Sequence, residues 1–171
     1  MSEWGRELYG EPCRGCGFRW AVAVDHADEI VGGAARRFGT SATRETGRLH
    51  HPDLQWSVSG YVCHVADNIR IWAERIASVA LGNDGPVALY DQDLLGVARN
   101  YDDVDLPAAL WSTGRAVADW RAAIDLAGAA PFIMVHEELG ALTLADIVRI
   151  RAHDVVHHAW DIERIIEYHA S

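Results

Sequence analysis

Apolar residues recur at three- and four-residue steps through several stretches of this chain, separated by breaks rich in Gly, Asp and Pro. From Trp56 to Leu81, a helical period is followed by Val58, Tyr61, Val62, Val65, Ile69, Trp72, Ile76 and Val79. The run Gly82-Asn83-Asp84-Gly85-Pro86 stops it. Asp105, with Pro107 just inside, starts another long helix, which carries Leu110, Val117, Trp120 and Ile124 towards Ala127. Thr143 to Asp146 resembles a capping box, with Asp in place of Glu, and opens a last helix reaching Tyr168. A first helix is expected from Asp25 or Asp28 to Arg37, with Ile30, Val31, Ala34 and Phe38 on one side, although Gly32-Gly33 weakens it. Asp91 to Asn100 reads as a short helix, Phe132 to Val135 as extended or loop, and Gly39 to Asp53 as loop. The pattern predicts an all-α fold, a four-helix bundle over residues 25–171. Residues 1–24 read as an irregular N-terminal segment.

Composition narrows the function classes. A chain of 171 residues, half of them hydrophobic, fits one domain with one core. The seven Trp suit anchored helix packing. The net charge is -10, and all fifteen basic residues are Arg. An acidic surface repels phosphate backbones and anionic lipid, so no nucleic-acid or membrane partner is expected. No apolar run is long enough to span a bilayer, and Met1 to Trp4 lacks a basic targeting region. Three Cys without a disulfide framework suit a reducing cytoplasm.

Three of the nine His crowd into His153-Asp154-Val155-Val156-His157-His158. Helical spacing pairs His153 with His157, and Asp154 with His158. At about 100° per residue, Leu144, Val148, Val155, Ala159, Ile162 and Ile166 form the apolar centre line, with Asp154 roughly 100° and His158 roughly 60° to one side of it. His153 and His157 fall nearly opposite that line and are expected to face solvent. Asp154 and His158 point inward, where a carboxylate needs compensation. A cation shared with His158 would supply it. The competing reading is an ion pair from Asp154 to an arginine of another helix, with His158 an ordinary core histidine. His64 lies on the edge of its helix's apolar arc, on a line with Ser57, Asn68 and Ile71, as a residue facing a neighbouring helix would. His64, Asp154 and His158 together would leave a coordination position open. Asp161 is placed to orient a ligand imidazole. Arg151, on the same flank, is a candidate for holding an anionic substrate or for an ion pair.

The stretches Trp56–Asp67, with His64, and His153–Ile162, with Asp154, His158 and Asp161, resemble the two signature segments of the DinB-like superfamily. That superfamily includes mycothiol-dependent maleylpyruvate isomerases and related metal-dependent thiol transferases. The resemblance runs from the first helix to the end. It implies an up-down-down-up bundle and a metal held by one His of the second helix and an acid-or-His plus His pair of the last. By position these are His64, Asp154 and His158. Asp154 departs from the more usual Glu or His; its shorter reach leaves His153 or His157 as substitutes if the helix is rotated.

Cys13-Arg14-Gly15-Cys16 resembles half of a zinc ribbon. A structural zinc needs four ligands, and Cys63, His50 or His51 are candidates to complete one; the simpler reading is a structural or poorly ordered thiol pair. His136-Glu137-Glu138 reads as solvated loop. No dinucleotide, P-loop or nucleophile-elbow motif is present, and His153 to His157 only echoes the zinc-protease motif. Two functions remain. One is a metal-dependent, mycothiol-type thiol S-transferase or isomerase acting on a small electrophile, with zinc first and nickel or iron as alternatives, and a low-molecular-weight thiol as cosubstrate. The other is a non-catalytic metal- or small-ligand-binding bundle with a stress-related role. Bundles of this kind often pair as homodimers, though no face in the sequence is marked for it.

Overall fold

The computed structural model describes residues 4–128 and 131–170. Residues 1–3, read above as lacking a targeting region, lie outside it. So do residues 129–130, part of the expected break after the third long helix, and residue 171. The elements are α1 (Trp4–Tyr9), α2 (Val24–Gly32), α3 (Ala34–Ser41), α4 (Val58–Ala80), α5 (Gln92–Ala98), a 3₁₀ turn (Tyr101–Asp103), α6 (Leu106–Ala127), β1 (Ile133–His136), β2 (Gly140–Thr143) and α7 (Leu144–Ala170). The bundle is built from α2/α3, α4, α6 and α7: α4 packs along α6, α2 lies on α7, and α3 touches both α6 and α7. Ile69, Ile76, Trp120, Ile147, Ile162 and Ile165 are among the large side chains fully enclosed at its centre. No described helix is long and apolar enough to cross a membrane.

The first expected helix is two helices. Gly33 interrupts it for one residue while its N–H still bonds Glu29 O at 2.9 Å, so α2 and α3 follow almost end to end. The ends of α4 and α7 follow local chemistry. Ser57 Oγ accepts the N–H of Gly60 at 3.0 Å. Thr143 and Asp146 cap reciprocally: Thr143 N–H donates to Asp146 Oδ2 at 3.1 Å, and Asp146 N–H donates to Thr143 Oγ1 at 3.1 Å. Every residue from Val58 to Ile69 is buried, so the polar groups of this half of α4 must be matched inside the protein. Asp67 is matched by the Tyr101 hydroxyl at 2.7 Å, by Arg99 at 2.9 Å and by Arg70, which ties the 3₁₀ turn and the end of α5 to α4.

Two expectations fail here for one reason, long-range cover. β1 pairs antiparallel with β2, Ile133 facing Thr143 and His136 facing Gly140, and Val87 bridges to His136. The hairpin carries His136 onto α4, where it is 3% exposed and stacks on Trp72 at 5.7 Å. It is not solvated loop. The N-terminal segment forms α1 and a run of turns that closes over α7, with Cys13, Phe18 and Trp20 buried. Trp20 Nε1 donates to Gly10 O at 3.0 Å, and a Cβ at Gly5 would sit 2.3 Å from the Trp20 ring.

Thr143→Ala removes one half of the α7 cap and is expected to cost about 1 kcal/mol of stability, read from the midpoint of a urea unfolding curve at unchanged slope.

Candidate functional site

The long α4 and α7 bring His64 and His158 together: their ring centroids lie 4.9 Å apart at right angles. His64 is 3% exposed and stacks on Trp56 at 4.7 Å. Burial, reinforced by the neighbouring His158, pushes its pKa down to about 3, so it is a neutral imidazole with a lone pair to offer. His158 Nδ1 lies 3.0 Å from Asp161 Oδ2. The carboxylate accepts, so Nδ1 carries the proton, and in the neutral ring Nε2 keeps its lone pair. Asp161 thus stands where an orienting acceptor should, with Arg164 3.5 Å away on its other oxygen.

Asp154 is otherwise engaged. Its Oδ2 receives Arg151 Nη1 at 2.7 Å and Asn68 Nδ2 at 3.0 Å, and Arg151 also bonds Asn68 Oδ1. Burial pushes this carboxyl up, but Arg151, with His158 and His153 behind it, outweighs burial and leaves it below the usual carboxylate range. The competing ion-pair reading is therefore realised, though by an arginine one turn away on the same helix. Arg151 is 6% exposed and lies over the Trp72 ring at 4.6 Å. His64, Asp154 and His158 do not converge to within 4.8 Å as a ligand set; among the described residues that degree of convergence belongs to Cys13, Cys16, His153 and His157.

His64, His158, Asp154 and Arg151 nevertheless open onto one cavity of about 500 Å³, which Arg75 and Tyr90 also line. Trp72, His136 and Tyr9 form part of its walls, and Asp91 and Glu138 add two carboxylates to it. A larger groove of about 590 Å³ between α2, α6 and α7 has no histidine or arginine in its walls, so the convergent polar chemistry lies in the first. Sequence reasoning missed Arg75, Tyr90, Tyr9 and His136 as cavity residues. For Arg75 a signal existed: Asn68 and Arg75 follow His64 by one and about three helical turns, which return to one face. The others arrive from distant segments with no local pattern.

The expectation that His153 and His157 face solvent is wrong. His153 is 2% exposed and ringed by Tyr9, Trp20 and Phe18 at centroid distances of 4.5, 4.6 and 5.5 Å. His157 Nδ1 lies 3.6 Å from Cys13 Sγ. Helix-wheel logic assumed that only the bundle covers α7, whereas the N-terminal segment covers the face opposite. Enclosed there, neither histidine stands in for Asp154. Cys63, His50 and His51 are not the partners of the thiol pair either: Cys63 is buried on α4, His50 accepts His169 through its carbonyl, and His51 packs on Tyr168.

No protein-family model and no curated protein matches the chain. Among solved structures it resembles YfiT from Bacillus subtilis, described as a probable metal-dependent hydrolase with an unusual four-helix bundle topology. The TM-score is 0.73 at 14% identity, over 88% of this chain and 91% of that one. At that identity the likeness is one of fold, and it supports the four-helix bundle architecture.

Because Asp161 sets the proton on His158, nitrogen-detected NMR of the wild type is expected to show an Nδ1–H imidazole at His158. In Asp161→Ala the two tautomers are expected to mix.

Proposed function

We propose that this chain is a metal-dependent enzyme acting on a small electrophile in the α4–α7 cavity, with a low-molecular-weight thiol, of mycothiol type, as the nucleophile it activates. The observation that supports this best is the meeting of two imidazoles from separate helices at the wall of a cavity that also holds two arginines. His64 and His158, with the Asp154 carboxylate beside them, form a nitrogen and oxygen donor set that suits zinc, with nickel or iron as alternatives. Such an ion supplies Lewis acidity, lowering the pKa of a thiol and polarising a carbonyl.

The chain's own residues do the rest. Asp161 holds the His158 ring so that Nε2 is presented. Burial keeps His64 neutral and therefore able to donate. Arg151 neutralises Asp154 until a cation takes over that role, and its guanidinium then serves an anionic group of the substrate. Arg75, lying over Trp72 and Tyr90 at 4.9 and 5.4 Å, offers a second positive charge in the same cavity. Transfer of the thiol to the electrophile, or isomerisation through a thiol adduct, fits a cavity of this size.

One observation favours a second reading, a binding bundle without catalysis: Asp154 is already satisfied by Arg151 and Asn68. Zinc titration separates the two. His64→Ala, His158→Ala and Asp154→Ala are each expected to lose the cavity ion, and thiol-dependent turnover of an electrophile is expected to fall at least about 100-fold in His64→Ala. Metal content equal to wild type in all three variants ends the site assignment. Metal loss with no turnover in any form, wild type included, leaves the binding reading.

Arg151 competes with the ion for Asp154, so Arg151→Gln is expected to bind zinc in the cavity about tenfold more tightly, while affinity for an anionic ligand falls. Calorimetric titration reads both.

A further inference from the structure

We propose a separate metal site in this protein: a zinc ion held by Cys13, Cys16, His153 and His157, which pins the N-terminal segment to α7. Each of the four brings a ligand atom to within 4.8 Å of the others, although they come from opposite ends of the chain. Cys13 and Cys16 sit on a tight turn, in which Gly17 N–H bonds Cys13 O at 2.9 Å and Gly17 takes a φ of 73°. The two histidines are one turn apart on α7. Within the cluster, Cys13 Sγ lies 3.6 Å from His157 Nδ1. A tetrahedron with Zn–S near 2.3 Å and Zn–N near 2.1 Å has an S···N edge of about 3.6 Å.

An independent observation points the same way. His153 is buried, and neither of its ring nitrogens has a hydrogen-bond partner. An imidazole enclosed by three aromatic rings with both nitrogens unmatched is unfavourable unless something coordinates it. With one nitrogen on zinc, Nδ1 would keep Asp154 Oδ1, 4.0 Å away, as its outer carboxylate. The turn is seated directly on α7: a Cβ at Gly15 would lie 2.9 Å from Trp160 and 3.1 Å from His157.

Charge selects the ion. A dication with two thiolates and two neutral imidazoles is electrically neutral, which suits a largely buried place. Both thiol protons leave to solvent on binding. Four protein ligands close the coordination sphere, so the role is structural. Tyr9 belongs to the pinned segment and lines the cavity, so this zinc fixes one wall of the candidate active site.

Cobalt(II) in place of zinc in the full-length wild type is expected to give sulfur-to-cobalt charge transfer and the strong visible bands of a tetrahedral site. Those bands are expected to vanish in Cys16→Ser and to persist in His64→Ala, so this site and the cavity site fail or stand separately. Zinc content is expected to fall by about one equivalent in Cys16→Ser. Stripping the zinc from wild type with a chelator is expected to lower the thermal midpoint by roughly 5–10 °C. The proposal is overturned by a wild type that gives no cobalt–sulfur band, or that holds the same zinc as Cys16→Ser. A Cys13–Cys16 disulfide in protein prepared without oxygen overturns it as well.

Discussion

The structure turns on the fact that α7 is buried on two faces at once. One face carries the apolar line of Val148, Val155, Ala159 and Ile162 into the bundle; the other lies under α1 and the cysteine turn. A helix enclosed this way has little surface left on which a polar side chain can meet water, so each such group in its middle turns must find a partner inside the protein. Arg151, Asp154 and Asn68 solve most of this among themselves across the α4–α7 seam, with the Arg151 Nε left unmatched. His158 solves it with Asp161. His153 has no hydrogen-bonding partner, and that is what makes its surroundings informative.

Two candidate ligand pairs share this helix, one residue out of phase. His153 and His157 form one, Asp154 and His158 the other, and a step of about 100° sends them to different walls. The second pair meets α4 at an open cavity. The first meets the cysteine turn. Asp154 stands between the two, with Oδ2 on Arg151 and Oδ1 4.0 Å from His153 Nδ1. Its charge is therefore shared by both neighbourhoods, and a change on either side is felt by the carboxylate.

The cavity combines side chains from the long helices with side chains from the segments laid over them. His64, His158 and Trp72 stand on long, packed helices, which hold side chains to narrow positions. Tyr90 and His136 come from a loop and a hairpin laid over the helix ends, with Val87 N–H to Val135 O at 2.8 Å as one of their ties. Arg75 and Arg151 both lie over Trp72, whose ring face attracts both cations, and Asp91, Glu138 and Asp154 line the same cavity.

The periodicity of Val58 to Val79, the Asp105–Pro107 start and the Thr143–Asp146 cap were enough to place α4, α6 and α7, because helix period and end chemistry are local. The inward turn of His64, Asp154 and His158, and the pairing of Asp161 with His158, were legible for the same reason: all follow from spacing along one helix. What covers a helix is not local. Only the tertiary structure decided that residues 4–20 fold back onto α7, that His153 is thereby buried and His157 half-buried beside Cys13 and Cys16, and that His136 is carried onto Trp72. Only it decided that Arg151 takes the Asp154 carboxylate. Wheel geometry gives a side chain's direction, but burial and charge pairing depend on which distant segment arrives there.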